Sequence, residues 1–214
     1  MTNLAGEAER AGVRIVTGTA VDLDRVRREH PDVVIVATGA GPRRPPIELT
    51  GAPVVLDAWQ ILLGADIPEG RLVVADWRCD WIGLGLAELL AERGRKVTLG
   101  VDGYMPGQRI QQYVRDAMIG AVTRAGVEVI PLVRLFGYDG SAVFFQQVLT
   151  DEAVIVEDVA GLVLAQGHDP VDGLLTALTA PGAFDGEVHG IGDCLAPRTV
   201  EEAVLEGLKV ASAI

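Results

Sequence analysis

The sequence predicts an α/β fold built on parallel strands, and three observations carry that prediction. Strand-type and helix-type segments alternate almost from end to end. Residues 32–37 and 72–75 are continuous apolar runs without polar alternation, the pattern of strands covered on both faces. The helical segments close on glycine, at Gly12 and Gly94.

In chain order, a short helix places Leu4, Ala8 and Ala11 on one face and stops at Gly12; residues 13–16 read as a strand and 24–29 as a charged helical turn or loop. The strand at 32–37 ends in Thr38-Gly39-Ala40-Gly41-Pro42, followed by Arg43-Arg44-Pro45-Pro46, a density of Pro and Gly that marks a crossover between layers or domains. Residues 54–56 lead into a helix that Asp57 can cap. The strand at 72–75, the helix at 82–93 and the strand at 96–99 make a βαβ unit. A helix over about 109–124 carries Ile110, Val114, Met118 and Val122 on one face, and 127–130 returns as a strand. Short strands at 135–138, 142–149 and 153–156 follow, separated by Asp139-Gly140, a hairpin signal, and by Asp151-Glu152. A strand at 159–165 ends at Gln166-Gly167.

Composition sets bounds on partners. The 214 residues are 49% hydrophobic, enough for one substantial core or two small ones. A formal charge of −12 repels phosphate backbones and argues against a nucleic-acid partner. No apolar run approaches the ~20 residues of a membrane span, and the N-terminus has neither a basic flank nor a signal-type stretch, so a cytoplasmic protein with no membrane partner is expected. Cys79 and Cys194 lie far apart, form no CxxC pair and cannot build a zinc or iron–sulfur site by themselves; they read as buried thiols, and no metal site is expected. His168 and His189 have no acid or nucleophile at motif spacing, so no catalytic residue is expected either.

The segment richest in chemistry is the last. Residues 188–193 form a short strand that stops on Gly192-Asp193; Cys194-Leu195-Ala196-Pro197-Arg198-Thr199 follows, and Val200, Ala203, Val204, Gly207, Leu208 and Ala211 recur at helical spacing. Thr199 with Glu202 is a capping box. A helix N-terminus therefore faces the Gly-Asp turn, offering N–H groups to an anion or a polarised ring edge, while Asp193 can accept hydroxyl hydrogen bonds from a sugar or ribityl chain.

Ile191-Gly192-Asp193-Cys194 with Ala196-Pro197-Arg198-Thr199 and a Glu-Glu-Ala helix resembles the trimethylamine dehydrogenase and 2,4-dienoyl-CoA reductase family, old-yellow-enzyme-like proteins with a C-terminal FAD/NAD(P)-type nucleotide-binding region. The Ala37-Thr38-Gly39 strand ending is similar to the family's first crossover, and Gly83 with residues 86–94 to its second nucleotide-binding half. The resemblance covers most of the chain. It implies a glutathione-reductase-like dinucleotide-binding fold of two interleaved three-layer halves, 1–52 with 181–214 as the FAD/ADP-type half and 53–180 as the inserted NAD(P)-type half, the latter with a small antiparallel region near Gly140. It further implies that Ala37, Thr38, Gly39, Gly192, Asp193, Pro197, Arg198 and Thr199 line an FAD or ADP site.

The sequence departs from that family in three places. The glycine-loop βαβ unit that opens the FAD/ADP site is missing. The loop at 76–85 keeps only the glycine that permits close helix–strand packing; Trp77, Trp81, Asp76 and Asp80 stand where small residues would admit a pyrophosphate, so NAD(P)H binding is not expected, although Asp102 falls near the place of a ribose-binding acid. The FMN barrel and four-cysteine cluster are not in this chain, so FMN and a 4Fe–4S cluster are expected only on a partner. The expected function is a nucleotide-binding or electron-transfer subunit, or fragment, of a flavin-dependent oxidoreductase of amine-dehydrogenase or enoyl-reductase type, incomplete as a catalyst alone and paired with a catalytic oxidoreductase subunit. The alternative is a non-catalytic scaffold or protein-interaction module on a decayed dinucleotide-binding fold, which the Trp77–Trp81 loop supports.

Overall fold

A computed structural model describes residues 2–214. The chain divides into two compact units, one running up to Gly39 and resuming over Pro170–Ile214, the other spanning Ala40–Asp169. The sequence reading draws these lines at 52/53 and 180/181.

In chain order the first unit begins with α1 (Thr2–Arg10), α2 (Leu23–Glu29) and β1 (Val33–Val36). The second holds β2 (Ala40–Pro42), β3 (Glu48–Leu49), β4 (Val55–Asp57), α3 (Ala58–Leu62), β5 (Arg71–Asp76), α4 (Trp81–Glu92), β6 (Lys96–Val101) and α5 (Gln112–Arg124). It continues through β7 (Glu128–Ile130), β8 (Val133–Tyr138), β9 (Val143–Gln147), β10 (Ala153–Val156) and β11 (Val159–Ala165), and β12 (His168–Pro170) ends at its boundary. The first unit resumes with α6 (Gly173–Thr179), β13 (Glu187–Gly190) and α7 (Val200–Ala211).

The second unit explains its own sequence pattern. Five parallel strands run in the order β4-β11-β5-β6-β7. Successive side chains of a strand point to opposite faces. Leu72 and Val74 of β5 pack with Leu84, Ala87 and Leu90 of α4 and Val122 of α5. Val73 and Ala75 pack on the other face with Val133, Tyr138, Val143 and Phe145 of the four-stranded sheet β10-β9-β8-β3. Both faces of β5 are covered, which is why its sequence is apolar throughout. Leu72, Leu84, Leu90 and Leu99 are fully buried, and truncating any one to alanine would cost about 2–5 kcal/mol. The Tyr138 hydroxyl, also buried, donates to the Val159 carbonyl at 3.0 Å.

The helix ends follow their caps. Asp57 and Gln60 form a capping box at α3, the Asp80 carboxylate accepts from the Ile82 N–H at the start of α4, and Gly94 beyond α4 takes a φ of +78°, which favours glycine.

The first unit is sparser. β1 and β13 pair in parallel, Val33 with Glu187 through Val36 with Gly190. Its core is Val26, Val36, Leu178 and Cys194, with Leu23, Val34, Leu174, Leu175, Phe184 and Val188 packed around them. Residues 13–16 do not form the expected strand; they are exposed, and no described strand pairs with their backbone. Nor is β1 covered on both faces, since Ile35 is 41% exposed. α7 buries none of its residues; Val200, Val204 and Leu208 are all exposed. Among the described residues no helix is long and apolar enough to cross a membrane.

Candidate functional site

The parallel pairing of β1 with β13 brings two of the expected site segments together. Both strands end at the same edge, Ala37-Thr38-Gly39 leaving β1 and Gly192-Asp193 leaving β13. The Ile191 N–H donates to the Val36 carbonyl at 3.0 Å, and the Cys194 thiol donates to the same carbonyl at 3.0 Å, fastening the two crossovers to each other. Crevices at the carboxyl ends of parallel strands are where α/β sheets bind ligands. Gly39 has φ +75° and nothing within 4 Å of the place a Cβ would take, so a ligand can approach its backbone. Ala37 and Thr38 are exposed, and the Thr38 hydroxyl is committed to the Val171 carbonyl.

After Gly192 (φ +64°) the chain makes a short 3-10 turn through Cys194 and then runs through Pro197-Arg198-Thr199 into α7. Here the structure corrects one expectation. Four of the N–H groups around this turn are already taken within the chain. Gly192 N–H donates to Glu206 Oε2 at 2.7 Å, Arg198 N–H to Asp193 Oδ1 at 3.1 Å, Thr199 N–H to Glu202 Oε2 at 3.0 Å and Glu201 N–H to the Thr199 hydroxyl at 3.3 Å. The Gly192 N–H and the Arg198 guanidinium hold the Glu206 carboxyl below its ordinary range, and the Thr199 hydroxyl and neighbouring N–H groups do the same for Glu202. The Glu202 carboxylate thus sits at the positive end of the helix, and Glu206 bridges the Gly192 N–H and Arg198. What the turn still offers is the half-buried Asp193, whose Oδ2 has no hydrogen-bond partner among the described residues and can accept from a hydroxyl. Glu206 went unnoticed in the sequence; its only signal is its place one turn after Glu202 on the Gly-Asp side of the helix.

In the second unit, the turn between β5 and α4 is arranged differently. Asp76, the last residue of β5, is 2% exposed. Its Oδ1 accepts from the Cys79 N–H at 2.8 Å, and its Oδ2 is buried without a partner. Burial pushes its carboxyl up to about 7; Asp80 adds to the rise, and the Cys79 and Arg78 N–H groups oppose it. A Cβ on Gly83 would stand 2.1 Å from Asp76 Oδ2, so helix and carboxyl are already in contact. The buried Asp76 carboxyl thus lies against the first turn of α4, at the place of a dinucleotide fingerprint's glycine loop. Asp80 caps α4 and pairs with Arg78 at 3.2 Å, and Asp102 pairs with Arg134 at 2.9 Å. Cys79, held at φ +51°, receives the Gly103 N–H on its sulfur at 3.3 Å, and burial with the nearby Asp76 pushes its thiol up to about 11, away from thiolate reactivity. His168 accepts from the Trp59 indole N–H at 3.1 Å, a structural role.

No protein-family model matches the chain. Among curated proteins it is 29% identical to NADH oxidase of Thermoanaerobacter brockii over 226 residues, covering 97% of this chain and 32% of that protein. It is 40% identical to bilirubin reductase of Mediterraneibacter gnavus over 96 residues, covering 45% and 15% respectively. The chain thus spans about a third or less of the length of these relatives. Among solved structures, histamine dehydrogenase from Rhizobium sp. 4-9 superposes with a TM-score of 0.80 at 21% identity, covering 90% of this chain and 32% of that one. Thioredoxin reductase of Lactococcus lactis superposes with a TM-score of 0.62 at 21% identity, covering 84% and 63%, and the fold is the glutathione-reductase-like one of such flavoproteins. These matches, at partial coverage, bear out the chain's resemblance to the C-terminal region of the trimethylamine dehydrogenase and 2,4-dienoyl-CoA reductase family.

Proposed function

We propose that this chain is the nucleotide-binding component of a flavin-linked oxidoreductase of amine-dehydrogenase or enoyl-reductase type, holding FAD or ADP on its first unit. The observation that carries this reading is the convergence of Thr38-Gly39 and Gly192-Asp193 at the carboxyl ends of two adjacent parallel strands. Asp193 accepts from a ribose or ribityl hydroxyl, Gly39 lets the ligand approach the backbone, and the Pro197-Arg198-Thr199 turn borders it. With the Thr199 and Gly192 N–H groups taken by Glu202 and Glu206, polypeptide outside this chain holds most of the ligand's phosphate oxygens. Bound FAD would supply two-electron redox chemistry, whereas bound ADP would serve as a structural ligand. NAD(P)H is not a ligand of the second unit, where the Asp76 carboxyl lies against Gly83 of α4.

A partner polypeptide carrying FMN and a 4Fe–4S cluster on a barrel completes the enzyme. The donor set of this chain does not fit a cluster: its two thiols are buried in different units, and Cys194 is hydrogen-bonded to Val36. Exposed Val13, Ile15, Val16 and Val21, with Val200, Val204 and Leu208 of α7, give such a partner an apolar surface to cover. Two unpaired cysteines suit a reducing compartment, the cytoplasm. A scaffold function has one observation of its own, the half-exposed Trp81 beside the Asp76 turn.

Native mass spectrometry of the gently purified protein, followed by acid release and an absorbance spectrum, tests the reading. FAD or ADP in the released fraction, lost in Asp193→Ala, is expected, as is a co-purifying flavoprotein subunit. A bare monomer that takes up neither nucleotide at high concentration contradicts the cofactor assignment and leaves the scaffold.

A further inference from the structure

The four-stranded sheet of the second unit buries one face against the parallel sheet and leaves the other open. On the open face the register aligns one row across three strands. Glu48 of β3 pairs with Gly137 of β8, which pairs with Phe144 of β9. Glycine at the centre of that row leaves a gap between an acid and an aromatic ring. It is required there, because a Cβ on Gly137 would stand 2.7 Å from the Glu48 carbonyl oxygen. The pairing of β8 with β9 shifts between Leu135 and Gly137, a bulge that leaves Phe136 unpaired and 54% exposed. Bulges re-aim side chains, and Phe136 lines the same gap as Phe144.

The result is a cavity of about 390 Å³, within the ~300–1,000 Å³ of small-molecule sites. Its walls are phenyl rings and its rim carries three carboxylates, Glu48, Asp139 and Asp151, with no Lys, Arg or His among the lining residues. Asp139 stays ionised, because the Ala142 and Ser141 N–H groups hold its carboxyl below the ordinary range. The Gln146 amide, inside the cavity, donates to Asp151 at 3.0 Å and fixes that carboxylate at the rim. Aromatic faces and carboxylates attract the same kind of ligand, one that is positively charged at one end and apolar at the other. An anion is repelled, and a neutral apolar molecule gains nothing from the rim.

We propose that this cavity is a binding site for a small organic cation with an aromatic or alkyl body, an aryl- or alkylammonium ion. The site lies within the second unit, stands on residues unrelated to either strand-to-helix turn, and does not depend on the nucleotide assignment.

The test is a titration of the isotope-labelled full chain with benzylammonium chloride at low salt, followed through backbone amide resonances, with benzyl alcohol as a neutral probe of similar shape. Saturable shifts at Phe136, Gly137, Phe144 and Gln146 are expected, with benzyl alcohol binding about 10-fold more weakly. Glu48→Gln and Phe136→Ala, both at exposed side chains, should each weaken benzylammonium binding by about 3- to 10-fold with the rest of the spectrum unchanged. Gly137→Val should abolish binding; because it also crowds Glu48, the two exposed-residue variants carry the decision. Equal affinity for the two probes, unchanged affinity in both variants, or non-saturating shifts spread over the acidic surface would each overturn the proposal.

Discussion

Each unit sends a parallel strand into a turn and a helix, and the two turns have opposite fates. After β5 the acid points inward: Asp76 is buried, bonded to its own loop and pressed against Gly83 of α4. After β13 the acid stays at the rim: Asp193 is half-buried, bonded through one oxygen to Arg198, with its other oxygen available. The environment of Gly192 matches, its nearest neighbour to a would-be Cβ being the Ala203 side chain at 3.4 Å. The same topology yields a buried carboxyl against the helix in one unit and a carboxylate with an unpaired oxygen at the rim in the other. The difference lies in which position of the turn carries the carboxylate.

The largest expected effect comes from removing the buried proton-binding group. An acid whose folded pKa is raised from 3.8 to about 7 binds more protons folded than unfolded between those values. Its contribution is therefore full below about pH 4, declines as pH rises to about 7, and is flat above. Asp76→Asn keeps the oxygen that accepts from Cys79 and has no such dependence. Relative to wild type it should gain up to about 4 kcal/mol between pH 4 and pH 8, read from denaturant midpoints at the two pH values. A difference that does not change with pH would mean that water reaches Asp76 and that the turn is open.

Adding a methyl group to each glycine sharpens the contrast. Gly83→Ala drives a Cβ into Asp76 and should cost about 2–3 kcal/mol. Gly192→Ala meets no such clash and pays only for its positive φ, about 1 kcal/mol. Thermal melts of the two variants should therefore rank Gly83→Ala well below Gly192→Ala, and the reverse order would refute the packing described at Asp76. Smaller again, Thr199→Ala removes the cap of α7 and should cost about 1 kcal/mol, seen as faster amide exchange in the first turn of that helix with no change in α4.

Much of the fold could be read from the chain. Residues 72–75 and 159–165 are apolar runs long enough to be strands, 96–99 follows as the second strand of the βαβ unit, and each is a strand of the parallel sheet. The capping residues Asp57 and Thr199 also act as read. Other segments misled. Residues 13–16 have a strand's composition, but composition reports willingness to pair and not the presence of a neighbour. The helix α6 escaped notice because its Gly, Thr and Ala content gives only three leucines to mark a face. β2, β3 and β12 are two- or three-residue pairings among Pro, Gly and charged residues, too short for periodicity to register. Within the site, the Gly-Asp turn, its helix and the role of Gly83 in close packing were legible. That Gly83 packs against Asp76 itself, and that Glu206 and Glu202 take the Gly192 and Thr199 N–H groups, depend on side-chain directions that spacing does not encode.

The contrast between the two turns is tested most directly by titrating the isotope-labelled chain with ADP, and separately with NADH, while following its amide resonances. The predicted result is saturable movement at Thr38, Gly39, Gly192, Asp193, Arg198 and Thr199 with ADP, and none at residues 76–83 with either ligand. Movement at 76–83 on adding NADH, with the Gly192 turn silent toward ADP, would contradict the account.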